Sequence, residues 1–160
     1  MFFKTSNRYI GEEIKLRATI VYDNTSGHEE LIADWGFACC IEIPGKTILF
    51  DAGGDGEILL HNMQQLSIEP EAIDEVFISH NHFDHIGGLA GFLNTNNQVK
   101  IYVPPSLRGV RNAREVVYVD EPGKLDENMF SSGELAGIEQ SLAIKTSKGL
   151  VLFVGCSHPP

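Results

Sequence analysis

The 160-residue chain is long enough to enclose one sizeable core, and its 42% hydrophobic and 21% charged content is ordinary for a globular protein. Its net charge of −10 argues against a nucleic-acid backbone as the main partner, because binding one needs clustered Lys and Arg. No apolar run approaches the roughly 20 residues of a membrane helix, and residues 1–6 are too poor in apolar residues for a secretory signal, so the expected location is the cytoplasm.

Residues 14–22 alternate loosely and are rich in β-branched side chains, which predicts a strand, followed by a loop over 23–27. Residues 37–43 and 47–50 read as two strands of a hairpin turning at Pro44-Gly45-Lys46. A helix is expected over 57–66 with Asp55 as its N-cap, because Leu59, Met63 and Leu66 share one helical face. Pro70 suits the first turn of a short helix near Glu71. Residues 76–79 form a short apolar strand that leads into Ser79-His80-Asn81-His82-Phe83-Asp84-His85. Further on, 88–93 reads as helical, 99–103 and 116–119 as strands, and 140–146 with 149–154 as a hairpin around Ser147-Lys148. Hairpins with helices between them predict a mixed α/β (α+β) class with a largely antiparallel or mixed sheet, and no tight βαβαβ alternation stands out.

The histidine run carries the chemistry. Residues two apart in extended backbone point to the same side, so His80 and His82 can converge on one ion from the end of their strand. Asp84 and His85 follow as the chain turns and can face a second ion. Imidazole and carboxylate together suit zinc, with iron or manganese as alternatives. Gly87-Gly88 lets the backbone pass close to the site. A lone His-x-His would read as a solvated loop; the full pattern after an apolar strand points to metal.

Residues 79–88 resemble the signature of the metallo-β-lactamase superfamily. Asp51-Ala52-Gly53 resembles its preceding Asp-x-Gly turn, and Gly155-Cys156-Ser157-His158-Pro159 the segment bearing its third histidine. Residues 20–27, Trp35-Gly36-Phe37, Gly133-Glu134 and Glu139-Gln140-Ser141-Leu142 are similar to the subgroup of dihydropterin ribofuranosyl-aminobenzene phosphate synthase-like proteins. The resemblance implies an αββα sandwich, formed by residues 1–160 as one domain carrying its first half to two-thirds. It implies that His80, His82 and His158 hold a first divalent metal, that Asp84 and His85 contribute to a second, and that Asp51 orients a ligand histidine from behind. The implied activity is hydrolysis of an ester or phosphoester of a small molecule by metal-activated water, with Asp84 as the catalytic residue that orients or deprotonates that water.

In the family a metal-bridging Asp and a final His follow the third histidine, and neither follows His158. The chain is therefore read as C-terminally shortened, with a half-built second site. An uncovered sheet face invites a homodimer or a complementing chain. Two other readings stay open: a non-catalytic or split-chain remnant, and an iron-dependent oxidoreductase on the same ligands.

The remaining candidates are read more plainly. Arg108, Arg111 and Arg114 would share a face if helical and could bind a phosphate, but a solvated surface is the simpler reading. Three cysteines, two of them adjacent, fit reduced thiols; Cys156 could tune or bind the metal, though a small packed residue is the commoner role. His28 lies in a loop that could overhang the site, and His61 has no partner pattern. Trp35 and Phe37 could line the pocket mouth or pack in the core. Glu134 and Glu139 receive no role.

Overall fold

The computed structural model describes residues 15–159. The reading of residues 1–6 as too polar for a signal, the start of the first predicted strand at Ile14, and Pro160 lie outside them.

Two sheets form. The first has the order β1 (Arg17–Tyr22), β2 (Ala38–Ile43), β3 (Lys46–Phe50), β4 (Glu75–Phe77), β5 (Lys100–Val103) and β6 (Glu115–Tyr118). The second has the order β10 (Gly149–Phe153), β9 (Leu142–Thr146), β8 (Met129–Ser131) and β7 (Gly123–Asp126). Helices α1 (Gly56–Gln65) and α3 (Leu89–Thr95) pack on the first sheet, and a single turn, α2 (Phe83–Ile86), lies at its edge.

Strand alternation decides the layering. Ala38, Cys40, Leu49, Val76, Ile78 and Ile101 point to the helices, where Leu59, Met63 and Phe92 meet them. Their neighbours Cys39, Ile41, Ile48, Phe50 and Phe77 point the other way, against Met129, Leu142 and Ile144 of the second sheet. The layers are thus helix, sheet, sheet. Both faces of the first sheet are covered, which explains why β2 to β5 read as almost continuous apolar runs. Phe50 stacks on Phe77 at 5.6 Å, and such pairs add about 1 kcal/mol beyond the area they bury. On β10, Leu150 and Leu152 stand 69% and 61% exposed, so the outer face of the second sheet is uncovered among the described residues.

Most predicted elements form where expected. Asp55 caps α1 by accepting from the Glu57 and Ile58 N–H groups at 2.7 and 3.1 Å. The β2–β3 and β9–β10 pairs are antiparallel hairpins. Three features differ. The pairs β3–β4, β4–β5 and β5–β6 are parallel, so half of the mixed sheet is a βαβαβ run. Its strands are three to five residues long, too short to show a period. Strands β7 and β8 are hidden in sequence by their brevity, and β7 also by its polar residues. Residues 104–114 form no helix, so Arg108, Arg111 and Arg114 share no helical face.

The parallel arrangement positions the site. The C-terminal ends of β3 and β4 leave the sheet at the same edge, one delivering Asp51 and the other Ser79 and the histidines. The 51–54 turn is laced to α2: Ala52 N–H donates to the His85 carbonyl at 2.8 Å, and Gly88 N–H to the Gly53 carbonyl at 3.1 Å. A Cβ on Gly87 or Gly88 would overlap the carbonyl oxygens of Gly54 and Ala52, so this approach requires glycine at both positions.

Candidate metal centre

Asp51 is fully buried, and its carboxylate organises the site. Oδ1 accepts from the Ser79 N–H at 2.7 Å. Oδ2 accepts from the Ser79 hydroxyl at 2.7 Å and lies 2.6 Å from Nδ1 of His85. The Ser79 hydroxyl has one proton and gives it to Asp51, so at 2.9 Å it can only accept from Nδ1 of His80. One carboxylate thereby sets two tautomers. His80 and His85 both carry the proton on Nδ1 and turn the lone pair of Nε2 outward, the form in which imidazole binds metal.

Outward lie the other donors. Nε2 of His80 stands 3.1 Å from Nδ1 of His82. Ring centroids of His80, His82 and His158 are mutually 4.6 to 4.8 Å apart. Nε2 of His85 is 3.6 Å from Oδ2 of Asp84 and 3.2 Å from Sγ of Cys156. Donor atoms fall into two groups, His80 with Cys156 and His158, and Asp84 with His85 and Cys156, each with its atoms within 4.8 Å of one another. Tetrahedral Zn–N bonds of about 2.0 Å place their nitrogens about 3.3 Å apart, so the 3.1 Å His80–His82 spacing fits that geometry.

Electrostatics agree. Burial, followed by the neighbouring His85, pushes the pKa of His80 down to about 4, so His80 is neutral and ready to ligate at pH 7. Burial alone would lower His85 as well, but the hydrogen bond and charge of Asp51 win and raise it. Burial raises Asp51 itself. Burial, then Asp84, Glu139 and Asp51, raises the Cys156 thiol, so without a cation it is a poor nucleophile.

A pH prediction follows for the metal-free protein. The unfolded chain binds a proton on His80 near its ordinary value of 6.5, and the folded chain only near 4. Unfolding therefore takes up a proton between those values, and stability falls as pH drops through that window, by up to about 3 kcal/mol. The groups facing His80 are His82, His85, His158 and Glu139, of which only Glu139 opposes the shift. Urea midpoints measured from pH 6.5 to 4.5 should fall, and fall less in His80→Asn. Equal slopes for the two proteins would contradict this assignment.

The structure thus brings His80, His82, Asp84, His85, His158 and Asp51 to one edge of the sheet. It leaves others outside. His28 lines a separate cleft with Tyr22 and Asn62 and does not overhang the site. His61 meets the Glu30 carbonyl at 3.0 Å. Arg108 stacks over Tyr118 at 4.7 Å. Glu134 accepts from the Ser106 N–H. Trp35, Phe37, Asp84, His85 and Cys156 line a cleft of about 320 Å³, with Trp35 exposed and Phe37 half-buried against Phe50. Cys39 and Cys40 are both buried.

Three residues at the site had no firm role in the sequence. Ser79 was only the end of a strand. Cys156 is exposed at the centre of the donors rather than packed. Glu139 is buried and holds the third-histidine segment: its carboxylate accepts from the N–H of Ser157 at 3.2 Å and of His158 at 3.0 Å. Nearby, Gln140 N–H donates to the Ser79 carbonyl at 2.8 Å. No spacing rule links Glu139 to His158; their meeting is a product of the fold.

Comparison with known proteins gives matching relatives. A family model described as the metallo-beta-lactamase superfamily matches residues 37–146. The chain is 27% identical over 197 residues to the 7,8-dihydropterin-6-methyl-4-(beta-D-ribofuranosyl)-aminobenzene-5'-phosphate synthase of Methanocaldococcus jannaschii, an alignment covering 88% of this chain and 67% of that protein. It is 31% identical over 106 residues to ribonuclease Z of Bacillus cereus, covering 55% of this chain and 34% of that one. Among solved structures, an N-acyl homoserine lactone hydrolase, with N-hexanoyl-L-homoserine bound at its catalytic metal center, superposes with a TM-score of 0.60 at 17% identity. That likeness, over 88% of this chain and 74% of the hydrolase, is one of fold.

Proposed function

The chain belongs to the metallo-β-lactamase superfamily, and from that premise we propose that it is a metal-dependent hydrolase acting on an ester or phosphoester of a small molecule. The observation that carries this reading is the convergence of three imidazoles, with the tautomer of His80 held by Asp51 through Ser79. His80, His82 and His158 would hold a first divalent ion, zinc by the chemistry of the donor set, and Asp84 and His85 belong to a second position. Such an ion, when bound, acidifies a water ligand to a pKa near 7 and polarises the electrophile.

The chain's own residues do the rest. Asp84 is only partly buried, so its carboxylate can accept the proton of the attacking water and orient it. Asp51 and Ser79 hold two imidazoles in place, so no reorganisation is needed at the moment of reaction. The cleft admits a small molecule, and Trp35 at its mouth offers an apolar surface to part of it. The net charge of −10 disfavours a long polyanion as substrate. Reduced cysteines fit a cytoplasmic protein; among the described residues no helix is long and apolar enough to cross a membrane.

The test uses the zinc-loaded chain with a phosphodiester, an aryl ester and a lactone as separate substrates. Turnover of at least one is expected, and Asp84→Asn should lower kcat by about 100-fold or more while metal stays on the three histidines. Unchanged turnover in that variant would sink the role of Asp84. Absence of both bound metal and turnover would sink the hydrolase reading.

A further inference from the structure

The reading above assigns Asp84 and His85 to the second metal position. Both come from α2. The structure brings a further donor beside them from a distant part of the chain. Cys156 follows β10 of the other sheet, and its Sγ lies 3.2 Å from Nε2 of His85, the nitrogen that the Asp51 hydrogen bond leaves unprotonated. Oδ2 of Asp84 is 3.6 Å from the same nitrogen. Zn–S bonds of about 2.3 Å and Zn–N bonds of about 2.0 Å put sulfur and nitrogen about 3.5 Å apart in a tetrahedral site, so all three donors can reach one ion with little movement.

The location of Cys156 is enforced. Ser157 has φ +57, and Glu139 grips the N–H groups of Ser157 and His158. A Cβ on Gly155 would overlap the Ser79 hydroxyl, so the chain passes the site at a distance only glycine allows. The thiol, in turn, is exposed at the cleft, unlike the buried Cys39 and Cys40.

We propose that Cys156 is a ligand of the second metal position, beside Asp84 and His85. The inference rests on the metal-hydrolase reading. Ligation exchanges the S–H bond for a sulfur–metal bond, and the proton leaves to solvent. A sulfur ligand selects zinc, cobalt(II) or cadmium over magnesium or manganese at that position.

Cobalt(II) titrated into the metal-free full chain provides the test. Visible d–d bands report any binding, and a thiolate-to-cobalt charge-transfer band in the near ultraviolet reports sulfur ligation. The wild-type chain should show both, the charge-transfer band growing with the second equivalent. Cys156→Ser should keep the d–d bands of the first equivalent, lose the charge-transfer band, and bind the second equivalent about 100-fold or more weakly, at least the upper end of what losing a supporting residue costs. Cobalt binding without a charge-transfer band, or a band that survives in Cys156→Ser, would overturn the proposal and leave the three-histidine site standing. No cobalt binding at all would instead overturn the metal reading from which it starts.

Discussion

Asp51→Ala should destabilise the chain by about 4 kcal/mol and weaken metal binding by about 10- to 100-fold. The first number comes from hydrogen bonds. Asp51 is fully buried and takes up the Ser79 N–H, the Ser79 hydroxyl and the His85 ring N–H. Its removal leaves at least two buried donors unsatisfied, at about 1 to 3 kcal/mol each. Backbone strain adds to this, because Asp51 sits at φ +57, a conformation that Asp and Asn adopt more easily than Ala. The second number comes from tautomers: without the carboxylate, neither His80 nor His85 is held with its proton on Nδ1, and groups of this kind affect metal affinity by 10- to 100-fold. Asp51→Asn separates the two effects. Asn tolerates the same φ and keeps one acceptor oxygen, so it should recover most of the stability and little of the metal affinity. Urea denaturation of the metal-free proteins and zinc competition titrations read the two quantities apart. Equal recovery of both by Asn would show that Asp51 acts only as a structural brace.

Glu139→Ala should have the next largest effect, with about 100-fold weaker metal binding at the three-histidine group and a stability loss of about 3 kcal/mol. The Glu139 side chain is buried, and its carboxylate accepts from two part-buried backbone N–H groups of the 155–158 turn. Losing two hydrogen bonds to a charged acceptor, at about 1.5 to 3 kcal/mol each, carries the stability cost. The loss of metal affinity has a different origin. His158 is exposed on a segment that follows the last strand, so its imidazole stays near His80 and His82 only while the turn is pinned. Glu139→Gln retains one acceptor oxygen and should keep about a tenth of the wild-type metal affinity. If Glu139→Ala loses stability yet binds zinc as tightly as wild type, the turn is held by other means and the positioning role fails.

Asp51 was legible only through its resemblance to a family turn and Glu139 not at all, and the reason is physical. A pattern is legible when the residues that form it are close in the chain. His80, His82, Asp84 and His85 fall within six positions, and strand alternation followed by one helical turn is enough to aim them at a common region. Asp55 as a cap, the glycine pair beside the 51–54 turn, and the two hairpins are likewise local consequences of residue type. The parallel half of the first sheet was less visible, because three-residue strands carry no period and a parallel partner lies a whole helix away. The arginines at 108, 111 and 114 show the opposite error, a helical spacing in a segment that forms no helix.

By itself, then, the sequence determined the family, the mixed α/β class and the close spacing of the polar side chains in the histidine run. Local stereochemistry suffices for that. Tertiary structure alone decided how the donors are joined. Asp51 and Ser79 meet because β3 and β4 are parallel and end at one edge. Glu139 and Cys156 join them because the second sheet returns the chain to that edge, as Gln140 pairs with Ser79 and β10 ends beside His85. Cys156 comes beside His85 from 71 residues away in the chain. Contacts at that separation depend on the packing of two sheets through one apolar core, and no spacing within the chain encodes them.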